Sequence, residues 1–181
     1  MKLSRFLIML VLGLFVVAAS APAQNKYVGA KMCKACHNSE KQGKIFDVWS
    51  KTKHAEAYKT LASAKANEIA KSKGIAKPAA EAKECLECHA KPIDEKILDK
   101  GYDAKDGVQC ELCHGAGSAY KNMAVMKDKA KVFAAGLTEF KDKATIEKFC
   151  RTCHNDKSPT FKEFKFDEMW GKIKHAIPPK S

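Results

Sequence analysis

The cysteines constrain this chain more than any other feature. All eight fall into four identical frames: Cys33-Lys34-Ala35-Cys36-His37, Cys85-Leu86-Glu87-Cys88-His89, Cys110-Glu111-Leu112-Cys113-His114 and Cys150-Arg151-Thr152-Cys153-His154. Two thiols with two residues between them and an imidazole directly after form the attachment frame of a c-type haem. The thiols make thioethers with the vinyl groups, and the histidine reaches the iron from the same side. Zinc also uses C-x-x-C pairs, but zinc does not require a histidine after every second cysteine. Disulfides across two residues are redox motifs, and four in one small chain would be unusual. With no cysteine left over, the frames predict four covalently attached haem c groups, each with its first iron ligand from His37, His89, His114 or His154.

The N-terminus predicts the compartment. Lys2 and Arg5 give a positive start, Phe6 to Val17 is almost wholly apolar, and Ala21-Pro22-Ala23 forms an A-x-A cleavage site. Residues 1–23 therefore read as a signal peptide cut after Ala23, and residues 24–181 as one tetrahaem domain. The apolar run is short for a membrane span, and no later segment has the length to cross, so no permanent anchor is expected. The expected location is the periplasm.

The mature part has about 158 residues for four haems, or about forty each, too few to build a large side-chain core as well. The macrocycles must be the core, so the expected fold is mainly α with long loops, a compact multihaem cytochrome wrapped around its cofactors. Asn38 and Ser39 predict a helix start near Glu40, with Ile45, Phe46 and Trp49 on one face. Thr52 predicts a cap for a turn carrying His54. Residues 55–83 favour helix, with a break at Gly74 and Pro78. Residues 146–149 lead helically into the fourth frame, and residues 165–176 read as a last helix before Pro178 and Pro179. No alternating strand pattern is present, and the unequal gaps between frames exclude an array of equal repeats.

The histidine count limits the sixth ligands. Four bis-histidine haems need eight histidines, and the chain has six. Only His54 and His175 lie outside the frames, so at most two haems are bis-histidine within one chain. Both are expected ligands. Met1 and Met9 leave with the signal, Met32 abuts its own frame, and Met169 is expected to pack against a haem edge. Met123 and Met126 remain, three residues apart on one helical face, each a candidate for ligation or for packing.

The stretches "CKACH" with "VWSKTKHAEAY", "GVQCELCHGAGSAY" and "FKFDEMWGKIKHA" resemble the cytochrome c-554 family, tetrahaem periplasmic electron carriers first associated with ammonia oxidation. The resemblance spans nearly the whole mature chain. It implies His54 opposite His114 and His175 opposite His154. In the family, a histidine nine residues after that of the third frame ligates the first haem, and the same count here lands on Met123. The resemblance thus implies Met123 opposite His37, with Met126 as runner-up, and an open sixth position on the haem of His89.

Lys and Arg number 33 against 21 Asp and Glu. Without Lys2 and Arg5 the excess is about +10, which eight propionates would largely offset. A basic exterior suits docking to acidic redox proteins, while nucleic acid is not an expected partner of an exported chain. The leading functional reading is an electron-transfer carrier between a protein donor and a protein acceptor, with no catalytic residue assigned. The rival is an enzyme that binds or reduces nitric oxide, peroxide or hydroxylamine at an open iron. A third is a subunit of a larger haem assembly, in which neighbouring chains lend ligands. The sequence leaves the oligomeric state undetermined.

Overall fold

The computed structural model describes residues 24–91 and 94–175. The expected signal peptide, residues 1–23, lies outside the described residues. The described chain is helical: α1 (Ala30–His37), α2 (Ile45–Ser50), α3 (Ala57–Leu61), α4 (Ala64–Ser72), α5 (Lys83–His89), α6 (Cys110–His114), α7 (Met123–Met126), α8 (Lys129–Ala134), α9 (Lys143–Cys150) and α10 (Phe166–Ile173). Among the described residues there is no strand, only an isolated parallel bridge between Tyr27 and Leu98. This agrees with the mainly α expectation.

The helices are short because the chain interrupts itself. The single helix expected from Glu40 is split, since Gly43 and Lys44 both take left-handed conformations, φ 69° and 48°, between a turn at Glu40–Gln42 and α2. In the alanine-rich stretch Ser63 ends one helix and caps the next by accepting from the Ala66 amide at 3.2 Å. Gly74, φ 72°, closes α4 where the break was expected. Thr52 does not cap: its hydroxyl donates to the Trp49 carbonyl at 2.7 Å, and His54 lies in the turns before α3. The last helix is shorter than expected, so His175 follows it rather than sitting on it.

The side-chain core is sparse. Its fully buried apolar members include five alanines, Ala30, Ala70, Ala79, Ala82 and Ala90, with Val28, Leu61, Tyr120, Val132 and Phe166. One cluster forms where Leu61, Ala70 and Ala79 meet Ile75, Cys85 and Leu86. Most apolar side chains elsewhere are only partly covered, the state expected when a large apolar group completes the interior.

Candidate haem-binding site

Each frame is built on helical geometry. Residues i, i+3 and i+4 of an α-helix share one face, so a Cys-x-x-Cys-His frame in helix aims two thiols and an imidazole the same way. The first and second frames end α1 and α5, and the third forms α6. The fourth begins on the last residue of α9 and continues the turn, with the His154 amide donating to the Cys150 carbonyl at 3.0 Å. All eight thiols are free. The frames lie close together: Cys33 is near Cys110, Cys88 is near Cys153, and Cys113 is near Cys150 and Cys153. Motif one thus lies by motif three, and motif four by both motif two and motif three.

The stretches that carried the resemblance pack on the frames. The Trp49 indole N–H donates to the Val108 carbonyl at 2.9 Å, and the Val108 amide donates to the His54 carbonyl at 2.9 Å. The segment after the first frame is therefore zipped to the lead-in of the third. Gly115, directly after His114, has φ 84°, and a Cβ there would lie 2.5 Å from the Gly136 carbonyl oxygen. The Tyr120 hydroxyl donates to the Gly115 carbonyl at 2.5 Å and holds the same turn. Phe164 of the terminal segment stacks on the His154 ring at 4.6 Å.

A deeper anchor escaped the reading of the sequence. Glu111, an intervening residue of the third frame, is 1% exposed. Its Oε1 accepts from the Val28 and Gly117 amides at 2.8 and 2.7 Å, and its Oε2 from the Gly29 amide at 2.7 Å. Beside it, Gln109 accepts from the Ala30 amide at 2.8 Å and donates to the Asp103 carbonyl at 2.8 Å. Together they tie the N-terminus of α1 to α6, and so set the first frame against the third. Only the polar character of two residues flanking Cys110 hinted at this. The Tyr102 hydroxyl, held by burial and by the Glu111 charge, is pushed up to about 12.

The imidazoles suit a ligating role. Burial lowers the His114 pKa to about 4, helped by the nearby His175 and His37. Burial likewise lowers His37, His54 and His154, with His175 adding to the effect on His37 and His154 to that on His54. These rings are neutral at pH 7, the form that binds metal. The His89 Nδ1 sits 2.9 Å from the Ala57 carbonyl, and the His175 Nδ1 3.1 Å from that of Ile173. Donation from Nδ1 leaves Nε2 as the free lone pair. His37 buries its Nδ1 with no protein partner, an arrangement proteins avoid unless another group completes it.

The histidine rings that lie near each other differ from the pairs the resemblance implies. His54 and His114 do line one cavity of about 350 Å³, together with Cys33, His37, Cys110 and His175. Yet the ring facing His54, at 5.9 Å between centroids, is that of His154, and the ring facing His114, also at 5.9 Å, is that of His175. Met123 opens α7, is 60% exposed and does not line the cavity, whereas Met126 at the end of that helix does. Among the described residues no group of three or more His, Cys, Asp or Glu gathers at one point.

Free thiols, neutral imidazoles and a thin core all fit haem c. Residues 32–115 match the sequence model of the family described as cytochrome c554 and c-prime. The chain is 28% identical to cytochrome c-554 of Nitrosomonas europaea (strain ATCC 19718 / CIP 103999 / KCTC 2705 / NBRC 14298) over 188 residues, 87% of this chain and 76% of that protein. Both likenesses support a c-554 family cytochrome. They support an electron-transfer role with covalently bound haem c and redox-protein partners. No solved structure matches it. Among the described residues, no helix of this c-554 relative is long and apolar enough to cross a membrane.

Proposed function

We infer that this cytochrome is a periplasmic carrier with four haems, passing single electrons between a protein donor and a protein acceptor. The observation that carries this reading is the closeness of the frames. Cys33 lies near Cys110 as a first couple, Cys88 near Cys153 as a second, and Cys113 near Cys150 and Cys153 joins the two within one short chain. Haem, when bound, supplies one-electron iron chemistry, and the protein supplies position, ligands and exposure. The eight frame cysteines fix the macrocycles. His37, His89, His114 and His154 hold the irons from the frame side, and His54 and His175 complete two of them. Glu111 and Gln109 hold the spacing of the first couple. The basic exterior, with lysine and arginine in excess, attracts acidic partners and speeds their encounter at low salt.

Intact mass of the protein purified from the periplasm tests the reading. The expected mass is that of residues 24–181 plus four haems. Reductive titration should then take up four electrons per chain. A mass with fewer haem increments, or a protein that retains residues 1–23, would contradict it.

A further inference from the structure

Four methionines lie among the described residues. Met32, Met123 and Met169 are 47%, 60% and 40% exposed. Met126 is half-buried and lines the cavity that also holds Cys33, His37 and His114. A thioether needs no deprotonation to bind iron, unlike a lysine amine, so its position alone decides whether it serves.

That position is set by caps on both sides. The Asn122 Oδ1 accepts from the Ala124 amide at 2.8 Å, and the Asn122 carbonyl accepts from the Met126 amide at 2.8 Å, fixing the rotation of α7. Asp128 Oδ1 then accepts from the Ala130 and Lys131 amides at 3.1 Å each and starts α8. Between these caps the helix presents Met123 to solvent and Met126 to the cavity.

The histidines leave one place for it. The rings of His114 and His175 face each other, as do those of His54 and His154. These two pairs take four of the six histidines. Of the other two, His89 holds the Ala57 carbonyl with its Nδ1 and does not line this cavity. His37 lines the same cavity as Met126.

We propose that Met126 is the sixth ligand of the iron held by His37. This rests on the haem reading above. Sulfur favours ferrous iron, so the first haem sits above the bis-histidine haems in potential. It is then the site where an electron comes to rest within the chain.

The test uses holoprotein bearing Met126→Leu, Met123→Leu or Met126→His. Leucine keeps the volume and removes only the sulfur. The readouts are intact mass, the ferric charge-transfer absorption at the red end of the spectrum, and the number of low-spin haems by electron paramagnetic resonance. Met126→Leu is expected to keep the full haem mass, lose the red feature and convert one low-spin haem to a high-spin haem that takes up cyanide. Met123→Leu should match the parent. Met126→His should restore the low-spin count at a lower potential. Loss of the red feature in Met123→Leu would overturn the proposal. So would a parent protein of full haem mass without that feature, which would make Met126 a packing residue only. An unchanged low-spin count in Met126→Leu would also overturn it and give the His37 iron to His175, whose ring lies near both His37 and His114. A parent lacking haem mass would instead strike the haem reading itself.

Discussion

Glu111 is a carboxylate in an apolar interior whose partners are three backbone amides from two segments far apart in sequence. Removing it leaves three buried donors unsatisfied, each at about 1 kcal/mol or more. Glu111→Ala should therefore lower the stability of the holoprotein by at least about 3 kcal/mol, read as a shift of the denaturant midpoint. Glu111→Gln keeps the shape but turns an amide N–H₂ toward some of those donors, and should destabilise by a smaller amount. If both variants unfold at the parent midpoint, the anchor has no energetic role. Gly115→Ala belongs beside it. The added methyl would meet the Gly136 carbonyl oxygen at 2.5 Å in a left-handed conformation, so the turn carrying His114 must shift, and the spectrum of that haem with it. Little of this was legible in the sequence. A frame specifies its cysteines and histidine and says nothing of the residues between them, so Glu111 looked like an ordinary helix former. Met123 and Met126 were equally opaque, because three residues along a helix change direction by only about 60°. The caps at Asn122 and Asp128, rather than the spacing, decide which of them faces inward.

At the scale of elements, the sequence announced helices well and their ends less well. The break at Gly74 and the helix leading into the fourth frame both occur as read. The helix expected from Glu40 failed because Lys44 takes a left-handed conformation that no local rule assigns to lysine. His54 lies in a turn before α3, and His175 in the irregular segment after α10, its Nδ1 3.1 Å from the Ile173 carbonyl. The fourth frame depends on a cap that can be tested. Asp142 Oδ1 accepts from the Thr145 amide at 2.8 Å and from its hydroxyl at 2.7 Å. These bonds, the backbone one foremost, hold the Asp142 carboxyl below the usual carboxylate range. A lowered pKa means that the cap stabilises α9 fully above the ordinary carboxylate pKa of about 3.9 and loses this as pH falls through the lowered value. Asp142→Ala should speed hydrogen exchange in the peptide covering residues 143–150 at neutral pH. The ratio of variant to parent rates should approach one as the pH drops below that range. A ratio that stays flat with pH would separate the cap from the charge on Asp142.

The whole molecule raises the question of what holds it together. Its fully buried apolar residues are half alanine, and an alanine buries little surface at about 25 cal/mol per Å². The surface ion pairs add little. Lys31 to Asp106 at 3.1 Å and Lys172 to Glu168 at 2.7 Å are typical, with the lysine side chains about 60% or more exposed, and such pairs contribute from nothing to about 1 kcal/mol. Against this stands a conformational entropy cost of about 1–2 kcal/mol for every ordered residue. The polypeptide alone does not balance that cost, and porphyrin, apolar over both faces, would supply the missing buried surface. Folding and cofactor attachment are therefore linked, as in metal-nucleated domains. Residues 24–181 produced in a cytosol that attaches no haem should be largely unstructured: poor amide dispersion in a proton–nitrogen spectrum, rapid proteolysis at the many lysines and no cooperative thermal transition. The haem-loaded protein should give a cooperative transition and resist protease. Replacing both cysteines of one frame by serine separates contributions within the molecule. Because Glu111 and Gln109 tie the first frame to the third, loss of the first haem should loosen the third frame more than the second or fourth, read by hydrogen exchange in residues 107–120 against residues 83–91 and 143–155. Equal loosening of all regions would show one indivisible cofactor core.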